Sequence, residues 1–537
     1  MAVPDLIFAQ ASPISLGGRS MFAARPDELR GPMLSAFMSH PNVTSAATTR
    51  LIDAGFQVLQ VTPFSINIAG PPSAFEKTFR TKIVAKEIPQ VRGMSTFLDS
   101  PDTDLFGLVS TSGTPLAGVI EGVALEVPRI MFDASHVAPP VGYWHLDVPT
   151  DIANLCNASP LHTLQITGYG VKVAMVDSGW FRHPYFTAGG YNVAPVVLGP
   201  GADAPESDES GHGTGESANI MSIAPQCQLM PVKCNFANTI GAFNAAVALQ
   251  PDIITCSWGS HTPFVLTAAD MALAASVSAA IAAGITVIFS AGNGHAGFPG
   301  QYPEVISAGG AFFGPDGSIT ASDYSSGFQS NIYANRRVPD LCGLVGMRPK
   351  AIYIVLPVEP SDSIDTSNGG SIFPDGDETP PDDGWAAFSG TSAAAPQIAG
   401  AAALIKQVVP TATPGDIKAA LLASARDVVG GTCSSVPDVH GGLPAVEGAD
   451  DATGTGLLDV TAAVYYAYTM AQMGMTGLSG EVDADNTTEA YATSYYCGFL
   501  TMLAAVDPVS AAYLQGMAAA AAIAEATLAA GESGEPT

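Results

Sequence analysis

Ser392 is the residue of this chain around which a nucleophilic site is most readily built. It lies in a Gly-Thr-Ser-Ala run at residues 390–393, where Gly390 would let the backbone turn tightly and an alanine-rich helix follows. A hydroxyl at a helix N-terminus lies in a positive field, which favours negative charge developing on or beside it. A serine nucleophile also needs a base to take its proton and a third group to orient that base. The chemistry of Ser392 therefore depends on partners elsewhere in the chain.

Three further polar residues occupy settings that suit those roles. Asp177 follows the β-branched run 171–176, His212 lies in Gly-His-Gly-Thr at 211–214, and Asn293 ends Ser-Ala-Gly-Asn at 290–293. An imidazole is a general base, a carboxylate orients it, and a side-chain amide can donate to an oxyanion. Each residue also has a purely structural interpretation, as a helix cap, a loop residue and a turn signal, respectively. Four such sites in compatible settings favour chemistry over coincidence.

The elements that must position these residues alternate between strand and helix from about residue 150 onwards. This alternation predicts a parallel α/β sheet, in which functional residues collect at the carboxyl ends of strands. Asp177 and Asn293 both fall at or just beyond such ends. The predicted strands are 171–176, 228–232, 253–257, 286–290 and 305–308, and the predicted helices are 214–223, 240–249 and 268–283.

The first part of the chain has a different pattern, without a catalytic constellation. The predicted order is β-α-β-β-α-β, which indicates a small α+β, ferredoxin-like unit. Its predicted strands are 32–38, 56–61, 65–69 and 81–85, and its predicted helices are 43–54 and 72–79. We therefore divide the chain into a ferredoxin-like domain (1–87), a linker with a few strands (88–149), an α/β domain (150–470) and an alanine-rich helical extension (471–537) that includes a predicted helix over 511–530.

Composition excludes several classes of function. The net charge is −29 over 537 residues, which disfavours a nucleic-acid partner because phosphate binding needs a basic face. Seven cysteines without a C-x-x-C pair predict buried free thiols, although a bridge between Cys227 and Cys234 stays open. The sequence contains no apolar run long enough to predict a membrane span. Because the first residues do not have the pattern of a secretory signal, we expect a cytoplasmic protein, or a secreted one if a signal precedes them.

An acidic stretch at residues 357–384 is a further candidate, as a metal site. Its carboxylates fit no standard Ca²⁺ loop spacing, and a solvated acidic loop is the preferred interpretation. The sequence therefore predicts no metal site.

With these motifs in view, the chain resembles the subtilisin-like serine proteases (subtilases, peptidase family S8). Val-Asp-Ser-Gly at 176–179 resembles the family's acid motif, residues 211–214 its base motif, 290–293 its oxyanion motif and 389–396 its nucleophile motif, in the family's order. The resemblance covers about residues 145–465. It implies a parallel-sheet, three-layer α/β sandwich and a serine endopeptidase that works through an acyl-enzyme.

The resemblance also implies roles for individual residues. Asp177, His212 and Ser392 would form the triad, and Asn293 with the Ser392 backbone N–H would form the oxyanion hole. Substrate would lie along Ser257, Trp258, Gly259, Ala291 and Gly292. No cofactor is implied, with a structural Ca²⁺ ion left open. Residues 33–86 resemble the inhibitory propeptides of this family and of the sedolisins, which implies a zymogen whose own first domain occupies the cleft until the chain cuts itself within residues 88–149.

The chain departs from the family's pattern at three positions near the site. Gly215 stands where a second histidine is usual, Ala393 where methionine is usual and Gln397 where histidine is frequent. These departures give some weight to an alternative function, a catalytically silent peptide-binding or scaffold protein on the same fold. A sedolisin would use a glutamate base and an aspartate as oxyanion donor, and a serine esterase would have a Gly-x-Ser-x-Gly elbow, so neither fits.

Overall fold

The computed structural model describes residues 3–90, 93–131, 143–434 and 442–474. An antiparallel sheet comes first in the chain, and a larger, mainly parallel sheet follows. The predicted helix over 511–530 lies outside the described residues.

The N-terminal unit has ferredoxin-like topology. Its elements are β1 (Ile7–Pro13), α1 (Pro41–Asp53), β2 (Gln57–Val61), β3 (Ile66–Gly70), α2 (Pro72–Phe79), β4 (Val84–Gln90), β5 (Gly93–Asp99), β6 (Leu108–Ser110) and β7 (Ile120–Leu125). The antiparallel sheet has the order β2-β3-β1-β7-β6, so that β3 and β1 lie between β2 and β7.

Two of the predicted strands of this unit were wrong. Residues 31–37 form a 3-10 helix, in which Pro32 occupies the first turn and the buried Leu34 and Phe37 lie three residues apart, a spacing that suits one face of a tight helix. The strand predicted at 81–85 begins only at Val84 and pairs with β5 in a separate hairpin. The sheet is completed by β1 and β7 instead, so it continues well past residue 87.

The larger unit supplies the remaining elements. The first are β8 (Ile130–Met131), β9 (Leu146–Asp147), α3 (Thr150–Leu155), α4 (Ser159–Thr163), β10 (Lys172–Asp177), α5 (Pro184–Ala188), β11 (Asn192–Val193), β12 (Val197–Leu198), α6 (His212–Ile223), β13 (Gln228–Lys233), α7 (Thr239–Ala248), β14 (Ile253–Cys256), β15 (Trp258–His261) and α8 (Ala268–Ala282). They are followed by β16 (Thr286–Ser290), β17 (Gly297–Phe298), β18 (Ile306–Phe313), β19 (Ile319–Ala321), β20 (Phe328–Gln329), β21 (Arg337–Val338), β22 (Leu341–Leu344), β23 (Ile354–Pro357), α9 (Ser363–Asn368), β24 (Trp385–Phe388), α10 (Thr391–Val408), α11 (Pro414–Ala423) and α12 (Val460–Gln472). The domain boundary predicted at residue 470 falls inside α12.

The central sheet is covered on both faces, which makes a three-layer α/β sandwich. Its main path is β11-β13-β10-β14-β16-β18-β19, and all of these pairings except β18 with β19 are parallel. Along β10, Val173 and Met175 join the core that contains α6 and α10, whereas Ala174 and Val176 join the core that contains α7 and α8. Alternating residues of a strand point to opposite faces, so an uninterrupted apolar strand indicates this two-sided burial. The predicted fold class is confirmed.

The described cysteines are free and buried, as the sequence predicted; they are Cys156, Cys227, Cys234, Cys256, Cys342 and Cys433. Burial raises the pKa of these thiols, which keeps them neutral and unreactive. None of the helices in the described ranges combines the length and the hydropathy needed to cross a bilayer.

Buried polar contacts join the two units. Arg129 follows the N-terminal sheet, and its Nη1 lies 2.6 Å from Oδ1 of Asp270 on α8, with both side chains almost fully buried. Asn67 of β3 and Asn238, which precedes α7, exchange side-chain hydrogen bonds of 2.7 and 3.0 Å. Such contacts are favourable only while both partners stay in place, since an unpaired buried charge is costly.

We therefore expect Arg129→Met to destabilise the full chain by about 3 kcal/mol, because it leaves the Asp270 carboxylate buried without its counter-charge. Urea unfolding of the full chain measures the effect. The matched control is Arg25→Met, since Arg25 is 73% exposed and lies 3.4 Å from Asp27; a surface pair of this kind contributes less than about 1 kcal/mol. Equal losses in the two variants would contradict the prediction.

Candidate active site

Asp177 and His212 are in direct contact. β10 ends at Asp177 and α6 begins at His212, and Nδ1 of the imidazole lies 2.7 Å from Oδ1 of the carboxylate. Both side chains are buried. A carboxylate that accepts a hydrogen bond from Nδ1–H holds the ring in place and keeps Nε2 as the basic nitrogen. The pair can therefore serve as an oriented general base.

A second aspartate, which the sequence analysis missed, holds the histidine turn against the end of β10. Asp208 accepts hydrogen bonds from Ser178 Oγ (2.7 Å) and from both the backbone N–H (2.8 Å) and the hydroxyl (2.7 Å) of Thr214. Ser178 Oγ in turn accepts from the Gly213 N–H at 2.9 Å. Burial raises the pKa of Asp208. The only signal in the sequence was an acidic residue four positions before His212, which is too common a pattern to single out.

Two glycines around His212 are required by close packing. Gly211 has a φ of 81°, and a Cβ there would lie 1.8 Å from Oδ2 of Asp362. A Cβ on Gly215 would lie 2.4 Å from the ring of Phe388, whose centroid is 6.1 Å from that of His212. The departure from the family's pattern at residue 215 thus accommodates an aromatic ring beside the imidazole.

Ser392 begins the neighbouring helix. It is the second residue of α10, which packs against α6, and its carbonyl oxygen accepts a hydrogen bond of 2.9 Å from Ser257 Oγ. The chain bends at Gly390, directly before the helix, but the backbone of this glycine is extended (φ 176°, ψ −178°), a conformation that any residue can adopt. The chain enters α10 directly from β24, which places Ser392 in the first turn, where backbone N–H groups point outward.

Asn293 is tied to the residue before Ser392. Its Oδ1 accepts hydrogen bonds of 3.0 Å from both the N–H and the hydroxyl of Thr391, and the Gly292 N–H donates to the same hydroxyl at 3.1 Å. Because the amide oxygen is engaged by Thr391, the Nδ2 donor points away from that contact. Thr391, which the sequence marked only as a cap, positions the amide.

The segment predicted to bind substrate contributes its backbone rather than its largest side chain. Trp258 is fully buried, and its Nε1–H donates to the Val176 carbonyl at 2.8 Å. The backbone of β15 pairs antiparallel with β8, with Gly259 opposite Ile130 and Trp258 opposite Met131. This segment therefore already holds an extended strand of the same chain.

The other predicted substrate-binding residues, Ala291 and Gly292, lie in the loop after β16 and are buried. The Ala291 N–H donates to the Ala308 carbonyl at 2.9 Å, and the Gly292 carbonyl accepts from the Ser326 N–H at 2.8 Å. These backbone bonds hold the loop that carries Asn293 against its neighbours.

The acidic stretch at 357–384 is more ordered than a solvated loop. Asp362, Asp365 and Asp377 are buried, and their carboxylates accept hydrogen bonds from backbone N–H groups of the stretch and of β24. The interpretation as a solvated loop was wrong for these residues, because backbone donors of a folded loop need acceptors once they are buried. Across the described ranges, no cluster of three or more His, Cys, Asp and Glu side chains could hold a metal ion.

A family model matches more than half of this chain. Residues 168–456 match Peptidase S8, the subtilase family. The match begins just before β10 and ends just before α12, so it contains all four residues singled out from the sequence.

Two matching relatives and one solved structure are distant from this chain in sequence. Subtilisin NAT of Bacillus subtilis subsp. natto is 27% identical over 296 residues, which are 50% of this chain and 64% of the relative; the match thus spans less than two thirds of its length. Alkaline elastase YaB of Bacillus sp. (strain YaB) is 25% identical over 67% of this chain and 89% of the relative. Among solved structures, fervidolysin of Fervidobacterium pennivorans, described as a keratinolytic enzyme related to subtilisin, aligns with a TM-score of 0.51 at 16% identity, over 86% of this chain and 62% of its own. That alignment shows a shared fold.

The packing beneath His212 makes Gly215 sensitive to substitution. We expect Gly215→Ala to lower the free energy of unfolding by about 1–3 kcal/mol, because the added methyl group overpacks against Phe388. Thermal unfolding monitors the change. Gly415→Ala in the first turn of α11 is the control, since a Cβ there meets only Thr413 Oγ1 at 3.8 Å; that variant should be as stable as the parent or up to about 1 kcal/mol more stable. A Gly215→Ala protein as stable as the control would contradict this account.

Proposed function

Because the chain belongs to the subtilase family, we propose that it is a serine endopeptidase that hydrolyses peptide bonds through an acyl-enzyme. The observation that carries the proposal is the buried 2.7 Å contact between Asp177 and His212 at the start of α6, next to the helix whose first turn contains Ser392. A base oriented by a carboxylate beside a serine at a helix N-terminus is the arrangement that acyl transfer requires.

In this mechanism each described residue has one role. Ser392 Oγ attacks the scissile carbonyl carbon while His212 Nε2 takes its proton, and the proton then goes to the departing amine as the C–N bond breaks. Water then attacks the acyl-enzyme while His212 takes its proton, and the return of that proton to Ser392 Oγ releases the acid and restores the hydroxyl. Asp177 holds the imidazole and stabilises its cationic form throughout.

The oxyanion of each tetrahedral intermediate would be bound by Asn293 Nδ2 and the Ser392 backbone N–H. Support comes from the hydrogen bonds that Thr391 gives to Asn293 Oδ1, since they set which end of the amide faces away from the helix. Donors fixed before the reaction stabilise developing charge without reorganising, and the loss of one such donor costs about 3 kcal/mol in subtilisin, a member of the same family.

We expect Ser392→Ala to abolish both peptide hydrolysis and labelling by a fluorophosphonate probe, because the nucleophilic oxygen is removed. Labelling is detected by mass spectrometry of the intact protein, and hydrolysis with an unstructured protein substrate. Ser112→Ala is the control, since Ser112 is exposed and lies in the N-terminal unit; it should be labelled as the parent is. Hydrolysis that persists in Ser392→Ala would refute the proposal.

The alternative of a catalytically silent scaffold finds less support in the structure than in the sequence. Gly215 fits the ring of Phe388, and Gln397 binds the backbone of β22 through both ends of its amide. These departures therefore have packing reasons that leave Asp177 and His212 in contact. A parent chain that fails to react with the fluorophosphonate probe would favour the scaffold.

We further propose that the N-terminal unit is an intramolecular inhibitor of this enzyme. The support is the pairing of β8 with β15, in which a strand that follows the N-terminal sheet lies along the backbone expected to hold substrate. The strand runs antiparallel to β15, with Met131 opposite Trp258, the neighbour of Ser257, whose hydroxyl donates to the Ser392 carbonyl at 2.9 Å. Strand addition of this kind is a common way to hold an extended peptide.

If β8 pairs with β15 in the way that a substrate would, the chain should cut itself after β8 rather than elsewhere in residues 88–149. We expect mass spectrometry of the active protein to find a new N-terminus between residues 132 and 146. Ser392→Ala provides the control and should stay intact. A new N-terminus before Ile130 would refute the substrate-like role of β8, and a fully active intact chain would refute autoprocessing altogether.

A further inference from the structure

The helix that begins with His212 carries a second carboxyl group one turn later. Oε1 of Glu216 lies 3.8 Å from Nε2 of His212, and both side chains are fully buried. Asp177 meets the opposite ring nitrogen, Nδ1. Residues four apart on a helix lie on one face, so the backbone of α6 itself keeps Glu216 beside the imidazole. The ring therefore lies between two carboxyl groups.

A chain of amides fixes which oxygen of Glu216 faces the histidine. The Leu344 N–H donates to Gln397 Oε1 at 2.7 Å, and Gln397 Nε2 donates to the Leu344 carbonyl at 3.0 Å, so the backbone of β22 sets the orientation of this amide. Gln397 Nε2 also donates to Asn219 Oδ1 at 3.1 Å. Asn219 must then donate through Nδ2, and it does so to Glu216 Oε2 at 3.0 Å.

The other oxygen of the carboxyl group is directed at the imidazole. Among the described residues, Glu216 Oε1 accepts no hydrogen bond although it is buried. Burial raises the pKa of Glu216 to about 8, against the lowering effect of His212. Burial therefore favours the neutral carboxyl group, which ionises as the pH rises through about 8.

Within the described ranges, few other ionisable groups face Glu216. Asp177 at the end of β10 acts against its ionisation and so raises its pKa further. At the end of α3, Cys156 contacts Gln397 at 3.8 Å, and its thiol stays neutral because burial raises its pKa to about 12. From β23 and β24, Leu356 and Phe388 present apolar groups to this part of α6. The electrostatics at Glu216 thus involve mainly His212 and Asp177.

We propose that Glu216 is a positioning residue for the catalytic base, which in its ionised form favours the imidazolium of His212 and so makes that imidazole a stronger base towards Ser392. The inference rests on the proposed function, since it names a further residue of the same site. A negative charge about 4 Å from a ring nitrogen in a buried site interacts strongly with the charge that the ring acquires. Two groups this close titrate as a coupled pair with two macroscopic steps.

The sign of the effect follows from the end states of the coupled pair. At low pH both groups are protonated, and a protonated imidazole cannot act as a base. Once the pair has lost both protons, the neutral imidazole lies beside an ionised Glu216, whose charge strengthens the base. The rate of reaction at Ser392 should therefore rise with pH in two steps, the upper one near pH 8.

The test is the pH dependence of the second-order rate constant with which an uncharged fluorophosphonate inactivates the full chain, over a range of roughly pH 5 to 10 that brackets both steps. Two steps are expected for the parent. In Glu216→Gln, which keeps an acceptor for Asn219, we expect a single step and a several-fold lower rate above the upper step. Glu206→Gln is the control, since Glu206 is an exposed carboxylate, and it should retain both steps. Superimposable profiles for the parent and Glu216→Gln would overturn the inference.

A second measurement does not depend on activity or on the folding of the glutamine variant. In the full-length Ser392→Ala chain, NMR of isotopically labelled imidazole follows the titration of His212. Two inflections of its ring resonances are expected, and a single inflection over the same pH range would overturn the inference. A parent chain that shows both inflections but never reacts with the probe would refute the proposed function while leaving the coupling of Glu216 to His212 intact.

Discussion

The contact between Asp177 and His212 is the interaction on which the rest of the site depends. Two ionisable side chains are buried at the edge of a hydrophobic sheet, and they are tolerated there because each satisfies the other. Asp208 and Ser178 then fix the turn that carries His212, so the pair has one geometry. Any change that shifts the end of β10 relative to α6 would separate the carboxylate from the ring and leave two buried polar groups apart.

The sandwich places its polar residues where strands and helices meet. Parallel strands end along one edge of the sheet, and the helices that cover it begin near the same edge, so Asp177, Asn293 and the N-termini of α6 and α10 lie at that edge. A chain of hydrogen bonds runs from β22 through the amides of Gln397 and Asn219 to Glu216, which lies beside the imidazole. A buried polar network of this kind is stable only when each donor faces an acceptor. That requirement orients the amides of Gln397 and Asn219, and it leaves the second oxygen of Glu216 facing His212.

The N-terminal unit shows where inference from the sequence failed and why. Its ferredoxin-like topology was predicted, yet two of its strands were assigned to the wrong residues. Local pattern cannot separate a short apolar strand from a 3-10 helix, because both bury residues a few positions apart, and only pairing across the sheet decides between them. Ala9 of β1 pairs with Leu125 of β7, far along the chain, so this pairing is invisible to any local window.

The sequence by itself determined the α/β class and the approximate bounds of the central strands and helices, and it singled out Asp177, His212, Asn293 and Ser392 as candidates for the site. These follow from apolar periodicity and from motifs a few residues long, which are local properties. Only the tertiary structure decided that Asp208 holds the histidine turn, that the ring of Phe388 packs against Gly215, and that Glu216 lies beside His212. Those facts depend on how segments remote in the chain pack together. They also depend on burial, which raises the pKa of the Glu216 carboxyl group and leaves no room for a side chain at Gly215.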